Sequence, residues 1–260
     1  MDAHGFFAGV AVGLVGGFTS GLLGVSPGGG LMVFSLLLLG LEQHAAQGVS
    51  LVAQVFPTSL AGVRRYWRAG HRAPLIWLAL IGGGFLIGGA AGAKTAVFAS
   101  RAVLQWTFVL YLTALGALVV LRPPGRAAES SEAFPTPPVS KAALVAVGAF
   151  AGFSSGFLGI GGGLAITVGL SAWLKVPQRL SQMISLALLT APLTLPAAWV
   201  YWREGRLVAW PVLAGVVLGL MLGTDIGARL ANRLNDRRLR FSLLAFIVLM
   251  AGYMVREALR

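Results

Sequence analysis

Gly17-Phe18-Thr19-Ser20-Gly21-Leu22-Leu23-Gly24-Val25-Ser26-Pro27-Gly28-Gly29-Gly30-Leu31 is an apolar stretch broken by a glycine triplet. It returns as Gly152-Phe153-Ser154-Ser155-Gly156-Phe157-Leu158-Gly159-Ile160-Gly161-Gly162-Gly163-Leu164. Glycine loses more backbone entropy on ordering than any other residue, so three in succession predict an interrupted helix. Inside a bilayer an interruption is tolerated only where protein surrounds it or where it lines a cavity. Two interruptions at matching places in two halves point to the binding site of a transporter.

Composition sets the frame for that reading. Of 260 residues, 57% are hydrophobic and 11% charged, with mean hydropathy +0.83. Soluble domains carry about 25% charged residues, so the chain reads as an integral membrane protein. The net charge of +12 raises nucleic acid as a partner. The basic residues, however, sit in short loops between apolar runs, where they orient a protein in the lipid bilayer. No cysteine is present, which excludes disulfides, thiol catalysis and Cys-ligated metals. His4, His44 and His71 have no metal-ligand spacing, and no cofactor is expected. Met1-Asp2-Ala3-His4 lacks the basic start of a cleavable signal, so the first apolar segment is expected to stay in the mature protein.

In chain order, a first span runs from about Gly5 to Gly24, with Gly9, Gly13, Gly17 and Gly21 forming a stripe for close helix packing. Leu31 to Leu41 is too short to cross a bilayer, which takes about 20 residues. It dips in and returns, or spans in part. Gln47 to Val63 reads as one segment, in which Gln47, Ser50 and Gln54 share a face by their i, i+3, i+7 spacing. Pro74 to Ala93 and Val103 to Leu121 are further spans, the second expected to face lipid. Lys94 and Arg101 bracket the short loop between them. The first repeat is therefore 1–121. Residues 122–141 are rich in Pro and Ser and read as a flexible linker, leaving 142–260 as the second repeat.

The repeat is legible at an offset of 135. Gln182 and Ser185 answer Gln47 and Ser50, Pro192 answers Pro57, and Tyr201-Trp202-Arg203 answers Tyr66-Trp67-Arg68. Gly223 and Gly227 answer Gly88 and Gly92. At the triplets the offset slips by two, because Ser26-Pro27 has no counterpart. A match of this order and extent argues duplication.

Loop charges set the parity of each half. An odd number of crossings per half puts Arg64, Arg65, Arg68, Arg72, Arg122, Arg126, Lys141, Lys175, Arg179, Arg229, Arg233, Arg237, Arg238 and Arg240 on one side. Lys94, Arg101, Arg203, Arg206, Arg256 and Arg260 are left on the other. An even number abolishes the bias, so the positive-inside rule favours the odd count and an inverted pair of repeats. The fold class expected is all-α and polytopic. Both termini are expected outside the cytoplasm and the linker inside. Charge does not separate five crossings per half from three plus a re-entrant hairpin.

The doubled run of Ser-Gly, Leu-Gly and Gly-Gly-Gly, with the Tyr-Trp-Arg boundary and the central linker, resembles the sulfite exporter TauE/SafE family of secondary transporters. The resemblance covers nearly the whole chain. It implies export or uptake of a sulfur-containing anion, sulfite or an organosulfonate, across the inner membrane. The residues agree with an anionic cargo. A helix restarting after a triplet presents unpaired N–H groups and the positive end of its dipole. Two such ends facing each other would hold an oxyanion without a buried base. The candidate substrate-binding residues are Ser20, Gly28, Gly29, Gly30, Gln47, Ser50, Ser155, Gly161, Gly162, Gly163, Gln182 and Ser185. The plainer alternative makes the triplets close-packing points only. Asp225, inside a predicted span, is the candidate for proton coupling, with an ion pair to Arg229 as the plainer account.

Other classes stay open at this stage. A carboxylate permease would use the same features, and a membrane scaffold would not need two helix breaks. An enzyme would need a nucleophile with its base, or metal ligands, and no GxSxG, HExxH, Walker or Rossmann pattern is present. The stripes Gly84/Gly88/Gly92 and Gly215/Gly219/Gly223/Gly227 suit packing within the protomer or, in a homodimer, between protomers.

Overall fold

The computed structural model describes residues 3–23, 26–57, 60–68, 72–121, 139–206, 208–231 and 236–259, and every element among them is helical. The first half holds α1 (Ala3–Leu23), α2 (Gly28–Leu39), α3 (Gln43–Ala53), α4 (Leu60–Arg68), α5 (Leu75–Phe98) and α6 (Arg101–Leu121). The second holds α7 (Lys141–Leu158), α8 (Gly163–Val168), α9 (Gln178–Thr190), α10 (Leu195–Arg203), α11 (Trp210–Ala231) and α12 (Asp236–Ala258). A π-helical turn, Gly169–Trp173, continues α8. Residues 122–138 of the expected linker lie outside the described residues.

In lipid the backbone must satisfy its own hydrogen bonds, which a long apolar helix does. Among the described residues α1, α5, α7 and α11 are long and apolar enough to cross a membrane. The pair α9 and α10, bent by 43° at Ala191–Thr194, forms a fifth candidate. Its counterpart is α3 and α4, interrupted after Ala53. The segment read from sequence as continuous from Gln47 to Val63 is therefore broken. Pro57 and Pro192 stand at equivalent places in the two breaks, where a proline withholds a backbone donor and disfavours helix before it.

The halves are knitted together by exchange. Helix α1 lies parallel to α11, and α5 parallel to α7, so the first long helix of each half embraces the fifth helix of the other. Glycine makes both contacts. A Cβ at Gly13 would stand 2.1 Å from the Val216 carbonyl oxygen, and one at Gly219 2.2 Å from that of Val10. On the other pair, a Cβ at Gly88 would meet the Ala149 oxygen at 2.1 Å and one at Gly152 the Phe85 oxygen at 2.2 Å. Lipid gives apolar helices no hydrophobic reason to associate, so such close backbone approach supplies the attraction. Both stripes are thus used inside the protomer.

Helix α5 serves as a ruler through the molecule. Its N-terminal half, Trp77 to Phe85, packs with Leu144, Val147, Val176, Leu180 and Ile184. Its C-terminal part, Ala93 and Ala96, packs with Ala197, Ala198 and Tyr201. There the His44 ring nitrogen Nε2 lies 3.0 Å from the Ala96 carbonyl oxygen. Arg206 also faces Glu42 (3.9 Å), and Arg101 pairs with Glu257. The α2–α3 connection thus lies at one end of α5, and the equivalent α8–α9 connection at the other.

Two further sequence expectations change. The span expected to end at Ala93 continues to Phe98, so Lys94, expected at the border of the loop, is helical and exposed, one turn before the end of α5. Helix α6 is not simply lipid-facing. Leu104, Gln105, Phe108 and Leu112 are buried along one side, against α12 and the centre of the protein. Apolar composition alone does not distinguish a face turned to lipid from one turned to protein.

Candidate functional site

The two breaks touch each other. Helix α7 ends at Leu158, where Gly159 adopts a left-handed cap (φ 71°) and its N–H reaches the Ser155 oxygen at 2.8 Å. Gly161 (φ 82°) and Gly162 (φ 56°) keep the chain left-handed, a region closed to most side chains, until α8 starts at Gly163. In the first half Pro27 (φ −68°) caps α2, which starts at Gly28. A Cβ at Gly28 would stand 2.4 Å from the Ile160 carbonyl carbon, so the two interruptions are in backbone contact.

This placement corrects the register read from sequence. The helices restart at Gly28 and Gly163, still 135 apart, and Ser26-Pro27 stands where Gly161-Gly162 stands. The break keeps its place and the glycines move. The first triplet is the opening turn of α2, because Pro27 already supplies the turn. The second triplet is mostly the turn itself. Consequently Gly29 and Gly30 of α2 correspond to Leu164 and Ala165 of α8, and the two helix starts are unequal.

Helix α3, with eight of its eleven residues buried, stitches the breaks together. The Ser50 hydroxyl lies 2.6 Å from the Gly159 oxygen and 3.0 Å from the Gly28 oxygen, able to donate to either. It accepts from Gln54 Nε2 at 3.1 Å, and that amide also donates to the Ser50 carbonyl at 3.0 Å. Gln54 Oε1 accepts from Ser26 at 2.9 Å. Gln47 Nε2 donates to the Phe157 oxygen at 3.1 Å, and its Oε1 accepts from the Tyr201 hydroxyl of α10 at 2.9 Å. A helix end leaves carbonyls without partners, and burying them unpaired is costly. Gln47 and Ser50 meet that need for α7. In the second half Ser185 donates to the Gly163 oxygen at 2.8 Å, while Leu189 stands where the first half has Gln54.

A cavity of about 40 Å³ opens beside this knot, room for a few waters. Ser26, Gly29, Gly30, Ile160 and Leu164 line it on the side of the breaks. Phe108, Tyr111 and Leu112 of α6 and Phe246 and Ile247 of α12 form the opposite wall. Of the expected site residues, Gly29 and Gly30 reach the cavity. Gly28, Gly161, Gln47 and Ser50 belong to the knot behind it. Gly162 packs against Phe85, and Gly163 against Leu189 and Ser185. Ser20 and Ser155 are buried near the ends of α1 and α7, the Ser155 hydroxyl without a hydrogen-bond partner. Gln182 is half-buried on α9. Asp225 lies on an exposed face of α11, 2.6 Å from Arg229.

The wall of α6 and α12 was not read from the sequence. A signal existed: Tyr111 and Leu112 stand 135 residues before Phe246 and Ile247. Carrying the repeat into the last helix of each half brings these positions together as equivalents around one space.

A polytopic helical protein whose two broken helices meet beside a central cavity has the construction of a membrane transporter. The family description "Sulfite exporter TauE/SafE" matches residues 9–254, and the chain belongs to that family of membrane transporters. It is 30% identical over 221 residues to the "Probable membrane transporter protein YdhB" of Bacillus subtilis, covering 83% of this chain and 86% of that one. No solved structure matches the chain.

Proposed function

We propose that this transporter moves a small sulfur-containing anion, sulfite or an organosulfonate, across the inner membrane by alternating access. The observation that carries the reading is the opening turn of α2. Gly29 and Gly30 border the cavity without side chains, so an anion can approach the helix N-terminus closely. Ser26 adds a hydroxyl there. Leu164 covers the corresponding place on α8, so the cargo is held at one helix start rather than between two equal ones. At about 40 Å³ the cavity suits a closed state around little more than water. Transport then requires the wall of α6 and α12 to part from the breaks.

Two inverted repeats suit this motion, rocking about the central site. The pairing of Glu42 with Arg206 at one end of α5 supports inversion, as does the packing of Val176 at the other. Both termini are then outside the cytoplasm. Asp225 is the acidic residue proposed for proton coupling, acting through its pair with Arg229. An Asp225→Asn variant should lose the pH dependence of transport, and one that keeps it in full removes that role.

The deciding measurement is radiolabelled sulfite uptake into proteoliposomes, competed by unlabelled sulfoacetate, taurine and acetate. Saturable uptake, blocked by the sulfonates and not by acetate, is expected. Uptake blocked by acetate as well moves the assignment to carboxylates, and absence of uptake by folded protein removes sulfite.

A further inference from the structure

We infer that the cargo passes between the cavity and the face marked by Arg101 and Glu257 along the seam of α6 and α12, with Gln105 and Gln43 as its polar steps. This rests on the transport reading above. Helices α6 and α12 pack on each other and wall the cavity. Gln105 stands three residues before Phe108 and seven before Leu112, hence on the cavity-lining side of α6, one turn nearer Arg101.

Gln105 is 1% exposed, and its amide nitrogen has no hydrogen-bond partner. Gln43, also 1% exposed, donates only weakly to the Met32 sulfur at 3.6 Å, and its amide oxygen has no partner. The fold leaves buried polar atoms open where it could have placed apolar ones, and such groups ask for an account. A partly hydrated anion supplies it. The Gln105 N–H groups donate to an anionic oxygen, and the Gln43 oxygen accepts from the water that accompanies it. Met32, Met250 and Met254 fill the same buried cluster as Phe108. Unbranched methionines shift rotamer readily, which suits a plug that must yield. Beyond them Arg101, at the start of α6, pairs with Glu257 near the end of α12 and marks the mouth.

The native absence of cysteine gives the test a clean background. Gln105→Cys and Gln43→Cys are each treated with a membrane-impermeant, negatively charged methanethiosulfonate in oriented membranes. Sulfoacetate is the added anion, since sulfite itself attacks the reagent. Ser100→Cys and Lys141→Cys, both exposed, mark the two faces, and Leu110→Cys marks the lipid side of α6. Both glutamine positions should react from the Ser100 face only, while Leu110→Cys stays unreacted because a thiol in lipid does not ionise. Failure of both to react from that face, or reaction of either from the Lys141 face, overturns the route. Sulfite uptake without reaction at either position removes the seam alone. Reaction at both without sulfite uptake keeps the seam and removes sulfite as the cargo.

Discussion

Single residues in this protein separate sharply into those that hold the fold and those that border the cavity. Gly29 is of the second kind: a Cβ there meets nothing closer than 3.9 Å. Gly161 is of the first. A Cβ there would stand 1.7 Å from Gln54 Oε1, on a backbone that already disfavours L-residues by about 1–2 kcal/mol. Gly29→Ala should therefore purify as stable protein with uptake lowered roughly tenfold, the effect of about 1.4 kcal/mol. Gly161→Ala should lose thermal stability in detergent. Equal stability loss in both variants, with no selective effect on uptake, would falsify the division. Gly162, a candidate substrate-binding residue by sequence, belongs with Gly161. It is left-handed, and a Cβ would stand 2.5 Å from the Phe85 ring. Of the polar candidates, Gln47 and Ser50 were recognisable by spacing, but their partners, the carbonyls of Phe157, Gly159 and Gly28 and the Tyr201 hydroxyl, are named by no sequence pattern.

Elements in this fold are joined by glycine faces, and position on the helix decides what each glycine does. Gly83 and Gly88 lie on the same helix, α5. Around Gly83 nothing approaches within 4 Å, whereas Gly88 abuts the Ala149 backbone. Gly88→Leu should force α5 from α7, at a cost of about 1–3 kcal/mol or more. Gly83→Leu should leave the melting temperature within a degree or two of the parent, and thermal unfolding of the two variants in one detergent checks the contrast. The stripes were legible in sequence from their four-residue spacing. Their partners were not, because spacing describes one surface and says nothing of which other surface meets it. The bends after α3 and α9 were signalled by Pro57 and Pro192, though in a membrane helix a proline can also be absorbed as a kink.

Across the whole molecule, the exchange of α1 with α11 and α5 with α7 makes the halves interdependent. In each of these two glycine-mediated pairs one helix comes from each half. The proposed inversion of the halves makes one prediction at this scale. Alkaline phosphatase fused to either terminus should be active, and a green fluorescent protein inserted within 122–138 should fluoresce, since these reporters work on opposite sides of the membrane. Reporters that place the termini and the linker on the same side would reject the inversion, while the fully reversed pattern would keep it and move the Arg101–Glu257 face to the cytoplasm.

The membrane class, the helical fold and the two breaks were determined by sequence alone. Each follows from local composition: too few charges for water, too many apolar residues for anything but spans, and glycine where a helix cannot easily continue. The tertiary structure alone decided three things. It placed the helix starts at Gly28 and Gly163, with the glycines unequal between them. It turned α6 and α12 inward as the cavity wall. It engaged Gln47 and Ser50 with the end of α7. All three depend on contacts between residues far apart in the chain, whose energy comes from shape and unpaired backbone groups rather than from any local pattern.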